Sequence, residues 1–311
     1  MFETIYGNNY PKKLIESMIN QNRLIHTIIL SGENGLGKLT FAKEIAREIL
    51  YHWSQNKFVK NCLDINIIDG NKLGSIVINN IREIKNNFNV TPHEGEKKVQ
   101  IIANCDKMTV AAQNALLKSL EEPSKSTIFI LTTSNIHKLL DTILSRAMII
   151  NIQKIPDDEI EKILLNKYPQ IKTSDIIRYT KILGGNLGLI TSILESKEKE
   201  NILNLCEDFL FYIITHNQFE TIKILSKYKT NKSDFTLFLE LFKIYFEKVL
   251  KIYLSKNTLT DIIKNHDPQY FSSLEDKLYI FDIINKSLNY ISSNVNLGLL
   301  LTWLNINISY F

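Results

Sequence analysis

The sequence predicts an α/β domain with a parallel five-stranded sheet, followed by two all-helical domains. In the first half of the chain, short runs rich in β-branched apolar residues alternate with amphipathic stretches of helical period. This alternation is typical of strand–helix–strand units, which build a parallel sheet covered on both faces. In the second half the strand signals stop, and only helical periodicity continues.

Each element of the first domain, which we assign to residues 1–153, has its own signal. A helix is predicted over Leu39–Leu50 from its apolar stripe, and another over Val110–Leu120, where Thr109 is placed to cap the first turn. Both helices connect parallel strands. Five strands are predicted, at Thr27–Leu30, Ile65–Ile68, Val99–Ala103, Thr127–Leu131 and Met148–Ile152.

The second half begins with a proline signal. Pro156, followed by acids, predicts the first turn of a helix, because proline geometry and the helix dipole favour this order. A small helical domain is predicted at residues 154–198, interrupted by glycines at 184 and 185. The remainder, 199–311, is predicted to be all-helical, with a strongly amphipathic segment at Asp234–Leu254.

Composition limits the classes of protein to which the chain can belong. The chain has 311 residues with 44% hydrophobic and 23% charged residues, which is typical of globular proteins, and no apolar run approaches the length of a bilayer span. The first residues lack a secretion signal, so a cytoplasmic location is expected. Cys62, Cys105 and Cys206 are far apart and form no CxxC pair, which predicts reduced thiols and no zinc site.

A glycine-rich loop follows the first predicted strand. Gly32, Gly35, Gly37 and Lys38 fit the strand–GxxxxGK–helix arrangement of a P-loop. In such a loop the glycines let backbone N–H groups turn towards a phosphate, and the lysine reaches the terminal phosphates. A glycine turn kept for packing is the alternative interpretation.

The groups that hydrolyse a nucleotide are missing beside this loop. A working P-loop has Ser or Thr directly after the lysine as a ligand of Mg²⁺, but here Leu39 takes that place and Thr40 comes one position late. The strand that should end in acids ends in Ala103 and Asn104, with Asp106 beyond it. We therefore expect a vestigial site with weak or no ATP binding and no hydrolysis.

The chain carries several motifs in one order: His26, the glycine loop, Asp106–Thr109, Ala112–Pro123, Thr127–Thr133 and Ile143–Ala147. Together they strongly resemble AAA+ clamp-loader subunits over about the first 190 residues. The degenerate P-loop resembles the delta-prime type of subunit of the bacterial DNA polymerase III clamp loader. Near the end, Asn294–Leu304 resembles the last helix of the collar in such subunits.

The resemblance implies an AAA+ base, a helical lid and a helical collar that holds a ring together. It implies gamma/tau ATPase subunits and the delta subunit as partners, indirect action on the sliding clamp, primer–template DNA held through the assembled complex, and no membrane. The chain departs from the family at Ala147, where relatives have cysteine, and at Gly184–Leu189, where ATP-using relatives carry an arginine. The four-cysteine zinc module of many relatives is also missing.

The resemblance assigns Arg146, with Ser145 before it, as an arginine finger that acts in trans on the ATP of a neighbouring subunit. A plain surface arginine is the alternative. Glu121 and Glu122 could face a partner, although a solvated turn is the favoured interpretation, and Thr132 and Thr133 are expected to cap a strand end rather than sense a phosphate.

Two other functions remain open at this point. A gamma/tau-type motor would hydrolyse ATP itself, and it would need a hydroxyl after the loop lysine and acids at positions 103 and 104. A stand-alone DNA-binding remodelling factor would bind DNA tightly and with strong salt dependence.

Overall fold

The computed structural model describes residues 2, 5–54, 63–88, 92–93, 95–254, 274–293 and 295–309. The chain divides into two compact units, Met1–Ile155 and Pro156–Phe311. The first boundary predicted from the sequence lies within two residues of this division.

The first unit is built on a parallel sheet of five strands in the order β2-β3-β4-β1-β5. All pairs of neighbouring strands are parallel, so their carboxyl ends lie at one edge of the sheet. The strands are β1 Thr27–Ser31, β2 Ile65–Asp69, β3 Lys98–Ala103, β4 Thr127–Thr133 and β5 Met148–Asn151. The predicted parallel sheet is confirmed, with strand ends displaced by at most two residues.

Helices cover both faces of this sheet. The helices of the first unit are α1 Asn9–Asn20, α2 Lys38–His52, α3 Gly70–Leu73, α4 Ile78–Phe88, α5 Val110–Glu121 and α6 Asp141–Leu144. Ile28 and Leu30 of β1 pack with α1 and α2, whereas Ile29 packs with α4 and α5. Successive strand residues therefore enter opposite cores, which explains why these strands read as continuous apolar runs.

The predicted cap of α5 is confirmed. Thr109 is the N-cap residue, and its hydroxyl oxygen accepts a hydrogen bond from the backbone N–H of Ala112 at 3.2 Å. Cys105 and Cys206 are free and buried, as expected for structural thiols, whereas Cys62 lies outside the described residues.

All regular secondary structure in the described residues of the second unit is helical. Pro156 stands one residue before the first helix as its N-cap, rather than in the first turn as predicted. The helices are α7 Asp157–Lys167, α8 Thr173–Leu183, α9 Leu187–Leu194, α10 Lys197–Ile214, α11 Gln218–Ser226, α12 Lys232–Leu254, α13 Leu274–Ser292 and α14 Leu297–Ser309. Gly184 and Gly185, both with positive φ, separate α8 from α9 where the sequence predicts a break.

An aromatic row forms much of the core of the second unit. Phe238 and Phe242 of α12 stack with their ring centroids 6.1 Å apart, and Phe209 of α10 contacts both rings edge-on. The predicted amphipathic segment thus buries its apolar face within the unit. The residues predicted to form a lid and a collar belong to this one compact unit, and their division at residue 198 stays a prediction. Asn294, the first residue of the segment that resembles a collar helix, lies outside the described residues.

Candidate functional site

The glycine loop leaves β1 and enters α2 at the carboxyl edge of the sheet. Gly35 and Gly37 have φ values of 82° and 76°, in the left-handed region that favours glycine. At Gly32 a Cβ atom would lie 2.6 Å from the carbonyl oxygen of Ile152, so a larger residue would displace the backbone of the neighbouring segment. The loop therefore needs glycine at these positions, and its assignment as a P-loop stays a prediction.

Lys38 is folded onto its own loop. Its side chain is buried, and its ammonium donates hydrogen bonds to the carbonyl oxygens of Gly32 at 2.7 Å and Glu33 at 2.6 Å. Burial lowers the pKa of Lys38, while the charges of Asp106 and Glu33 act in the opposite direction. The lysine therefore serves as an internal brace of the loop in this conformation.

Position 39, which should supply a metal-binding hydroxyl, carries a leucine that packs against the core. Leu39 is partly buried and packs against the cluster of α1, α2 and the sheet, and Thr40 is exposed. A leucine cannot coordinate Mg²⁺, and its contact with the core favours a side chain of this kind at this position.

The segment after β3 forms a polar connection between three strand ends. Asn104 has a left-handed backbone with φ 53°, and its side-chain amide donates to Asp69, the last residue of β2, at 2.8 Å. Its backbone N–H donates to the hydroxyl of Thr132 at 3.1 Å. The residue at the position of the expected acid therefore ties β2, β3 and β4 together.

Asp106 is more closely tied to this edge than the sequence indicates. It lies in a short 3-10 helix, Cys105–Lys107, and its carboxylate accepts hydrogen bonds from the hydroxyl of Thr133 at 3.1 Å and the backbone N–H of Ser134 at 3.2 Å. Its charge also acts on Lys38. Thr132 and Thr133 hold the strand end through these contacts, in line with their expected role.

A surface ion pair joins the loop to the segment after β5. The ammonium of Lys154 lies 2.7 Å from a carboxylate oxygen of Glu33, and both side chains are largely exposed. Such pairs contribute about 0–1 kcal/mol to stability. The pair places a negative side chain on the loop that would otherwise receive a phosphate.

Arg146 lies at the opposite edge of the sheet from the glycine loop. It comes two residues before β5, whose first residue Met148 pairs with Ile28 near the start of β1. The glycine loop follows the far end of β1, and the rise from Ile28 to Gly32 at about 3.3 Å per residue is roughly 13 Å. The structure thus brings the loop residues together and keeps Arg146, with Ser145, apart from them.

Three contacts orient the guanidinium of Arg146. Nη1 donates to the carbonyl oxygen of Thr142 at 2.8 Å and to the hydroxyl of Ser145 at 3.2 Å, and Nη2 lies 2.8 Å from a carboxylate oxygen of Glu121. A guanidinium has five N–H donors, so these contacts leave donors for a further acceptor. Its side chain is 36% exposed.

A buried amide fixes the segment that leads to Arg146. Gln113 of α5 is 2% exposed; its amide donates to the carbonyl of Lys138 at 3.0 Å and accepts from the backbone N–H of Leu140 at 2.9 Å. Sequence reasoning gave Gln113 no role. It did not foresee the ion pair of Glu121, whose side chain is 46% exposed, as a solvated turn requires. An amide on the apolar face of α5 was the available signal for Gln113.

Comparison with known proteins places this first unit in a family. Residues 7–156 match the family model described as "DNA polymerase III, delta subunit". The DNA polymerase III subunit gamma/tau of Mycoplasma genitalium is 31% identical over 277 residues, which are 78% of this chain and 46% of that protein. Subunit delta' of Bacillus subtilis is 32% identical over 166 residues, which are 50% of each chain.

The first unit belongs to the family of the DNA polymerase III delta and gamma/tau subunits. The chain spans about half the length of the curated relatives it matches. A gamma-subunit-related protein of Thermotoga maritima shares the fold, with a TM-score of 0.54 and 21% identity over 95% of this chain and 98% of that one.

Metal-binding clusters and membrane-spanning helices are absent from the described residues. Within the described part of the chain, no group of three or more His, Cys, Asp or Glu side chains could hold a metal ion. None of the described helices is both long and apolar enough to cross a membrane.

Proposed function

We propose that this chain is a delta-prime-type subunit of the DNA polymerase III clamp loader, which does not hydrolyse ATP itself and supplies Arg146 to the ATP site of a neighbouring subunit. One observation carries the proposal. The guanidinium is oriented by Glu121, Thr142 and Ser145 at the sheet edge opposite its own glycine loop, which supports action on a nucleotide across a subunit boundary.

The chain's own loop supports the same assignment. Hydrolysis needs a metal ligand after the loop lysine and acids at the end of the adjacent strand, because phosphoryl transfer depends on positioning and on charge stabilisation. Here Leu39 packs against the core, Ala103 ends β3, and the side-chain amide of Asn104 is hydrogen-bonded to Asp69. We infer that the loop Gly32–Lys38 is a vestigial site that needs no bound nucleotide.

The names of the relatives suggest the partners. We propose that gamma/tau ATPase subunits receive Arg146, that the delta subunit completes the complex, and that the sliding clamp and primer–template DNA are engaged through the assembled complex. The chain would require neither ATP nor zinc. Its helical second unit would supply the contacts that hold the subunits in a ring.

The test is reconstitution. The chain is copurified with the gamma/tau and delta subunits of its own organism, and ATP turnover is measured for the chain alone and for the complex with clamp and primed DNA. We expect DNA-stimulated turnover by the complex and none by the chain alone. Turnover by the chain alone would refute the proposal.

A gamma/tau-type ATPase is the second candidate, and one observation favours it. The Mycoplasma genitalium gamma/tau protein aligns with 78% of this chain, a larger share than the 50% aligned with the Bacillus subtilis delta' subunit. Equilibrium binding of a fluorescent ATP analogue in the presence of Mg²⁺ separates the candidates. A motor would bind it with Mg²⁺-dependent affinity and hydrolyse it.

A further inference from the structure

The ion pair between Arg146 and Glu121 joins two elements that are 25 residues apart in sequence. The other two contacts of the guanidinium are local, because Thr142 and Ser145 lie four and one residues before the arginine. These local contacts fix the orientation of the guanidinium relative to its own turn. The ion pair with Glu121 fixes the position of the guanidinium relative to α5.

Helix α5 is a rigid support for such a contact. Leu116 and Leu120 on its inner face are 0% and 5% exposed in the core beneath the sheet. Its first turn holds the approach to α6 through Gln113, and its last residue, Glu121, holds the guanidinium. The helix therefore fixes the arginine segment near both of its own ends.

Glu121 occupies a position that disfavours an acid when considered alone. It is the last residue of α5, where the carbonyl end of the helix dipole repels negative charge. The positive guanidinium offsets this repulsion, and the helix end and the carboxylate together attract Arg146. The acid at this place is explained by its partner.

We infer that Glu121 is a positioning residue for the arginine finger, an inference that rests on the proposed function. Free arginine side chains sample many rotamers, and a planar guanidinium is effective only when its orientation matches the phosphate oxygens. Glu121 restricts these rotamers before the neighbouring ATP arrives. It acts through Arg146 and does not touch the nucleotide.

The experiment compares variants in the reconstituted complex, with kcat and KM for ATP measured separately. Glu121→Ala is expected to lower DNA-stimulated kcat at the served site about tenfold, the scale on which lost orientation acts, and to leave KM unchanged. Glu121→Gln keeps an acceptor at the same reach, although a neutral one is weaker, so it should recover most of the rate. Glu122→Ala removes the same charge from the same helix end and is the matched control.

A double-mutant cycle distinguishes the positioning role from a general effect. In the Arg146→Ala background, Glu121→Ala should have no further effect, because the group through which it acts is gone. The pair is exposed and contributes little to stability, so the urea unfolding midpoint of each variant should match that of the parent chain.

Several results would overturn the inference. They are an unchanged or raised kcat in Glu121→Ala, an equal loss in Glu122→Ala, or the same loss with and without Arg146. If Arg146→Ala leaves turnover unchanged, the proposed function itself fails. A loss in Arg146→Ala with none in Glu121→Ala overturns only the positioning role.

Discussion

The two edges of the sheet in the first unit differ in how their polar groups are used. At the carboxyl edge, the loop lysine bonds to its own loop, and Asn104 and Asp106 bond to neighbouring strand ends. At the amino edge, the guanidinium of Arg146 is oriented yet still exposed. Polar groups turned inwards maintain a shape, whereas an oriented exposed group is available to a partner.

The most severe test of this comparison removes the exposed group. Arg146→Ala should lower ATP turnover at the site it serves by about 10³-fold, because arginine fingers contribute about 10³–10⁵ to the rate. Arg146→Lys keeps the charge without the planar fork and should recover little. Turnover is measured in the reconstituted complex, with gel filtration to show that assembly is intact; a normal rate would contradict the assignment.

The buried amide that supports the arginine segment should matter for folding. Gln113→Leu leaves the carbonyl of Lys138 and the N–H of Leu140 without their partner, at a cost of about 2–4 kcal/mol in the free energy of unfolding. Urea denaturation followed by circular dichroism gives the value. The exposed Gln21→Leu, where only a surface contact with Ser17 is lost, is the control and should change stability by less than about 0.5 kcal/mol.

Two glycines of the loop allow a sharper test of the carboxyl edge. Gly32→Ala brings a Cβ atom to 2.6 Å from the carbonyl oxygen of Ile152, whereas Gly37→Ala meets nothing within 4 Å and is strained only by its φ of 76°. We expect a loss of about 2–3 kcal/mol for Gly32→Ala and about 1 kcal/mol for Gly37→Ala. Equal losses in thermal unfolding would show that the contact with Ile152 does not constrain the loop.

The smallest functional effect is expected at the loop lysine. If the loop is vestigial, Lys38→Ala should leave clamp loading by the reconstituted complex within about twofold of the parent rate, because no phosphate contact is lost. Loading of a fluorescent clamp onto primed DNA measures it. The equivalent change in the gamma/tau partner is the control, and a large loss in this chain would mean that its own loop binds a nucleotide that matters.

Much of the fold follows from the sequence, and the reason is the period of its apolar residues. Runs such as Thr127–Thr133 are buried on both faces, so the presence of a strand is visible from composition, although this strand ends two residues beyond the predicted Leu131. Thr109 is identified as a cap because its hydroxyl precedes an amphipathic run. The glycine loop is equally visible. Its spacing between a strand and a helix is a local property.

The contacts that give the site its character are not local. Glu121 and Arg146 are distant in sequence, as are Gln113 and Lys138, and neither pair has a periodic signal. Asp106 lies three residues beyond the end of β3, where an acid is not expected to contribute to the site. The 3-10 turn after β3 nevertheless brings its carboxylate back to β4. Which side chains pair between distant elements depends on the assembled fold, and the spacing of residues in the sequence does not indicate it.

The distance between the loop and Arg146 has a consequence for the history and symmetry of an assembly. In such a chain, one edge binds a nucleotide and the opposite edge supplies an arginine to a neighbour. Either capacity can be lost without damage to the other. In a ring assembled head to tail, a chain that supplies an arginine but binds no nucleotide leaves one subunit boundary without ATP hydrolysis. Otherwise similar positions then become distinguishable, and the ring acquires a first and a last member.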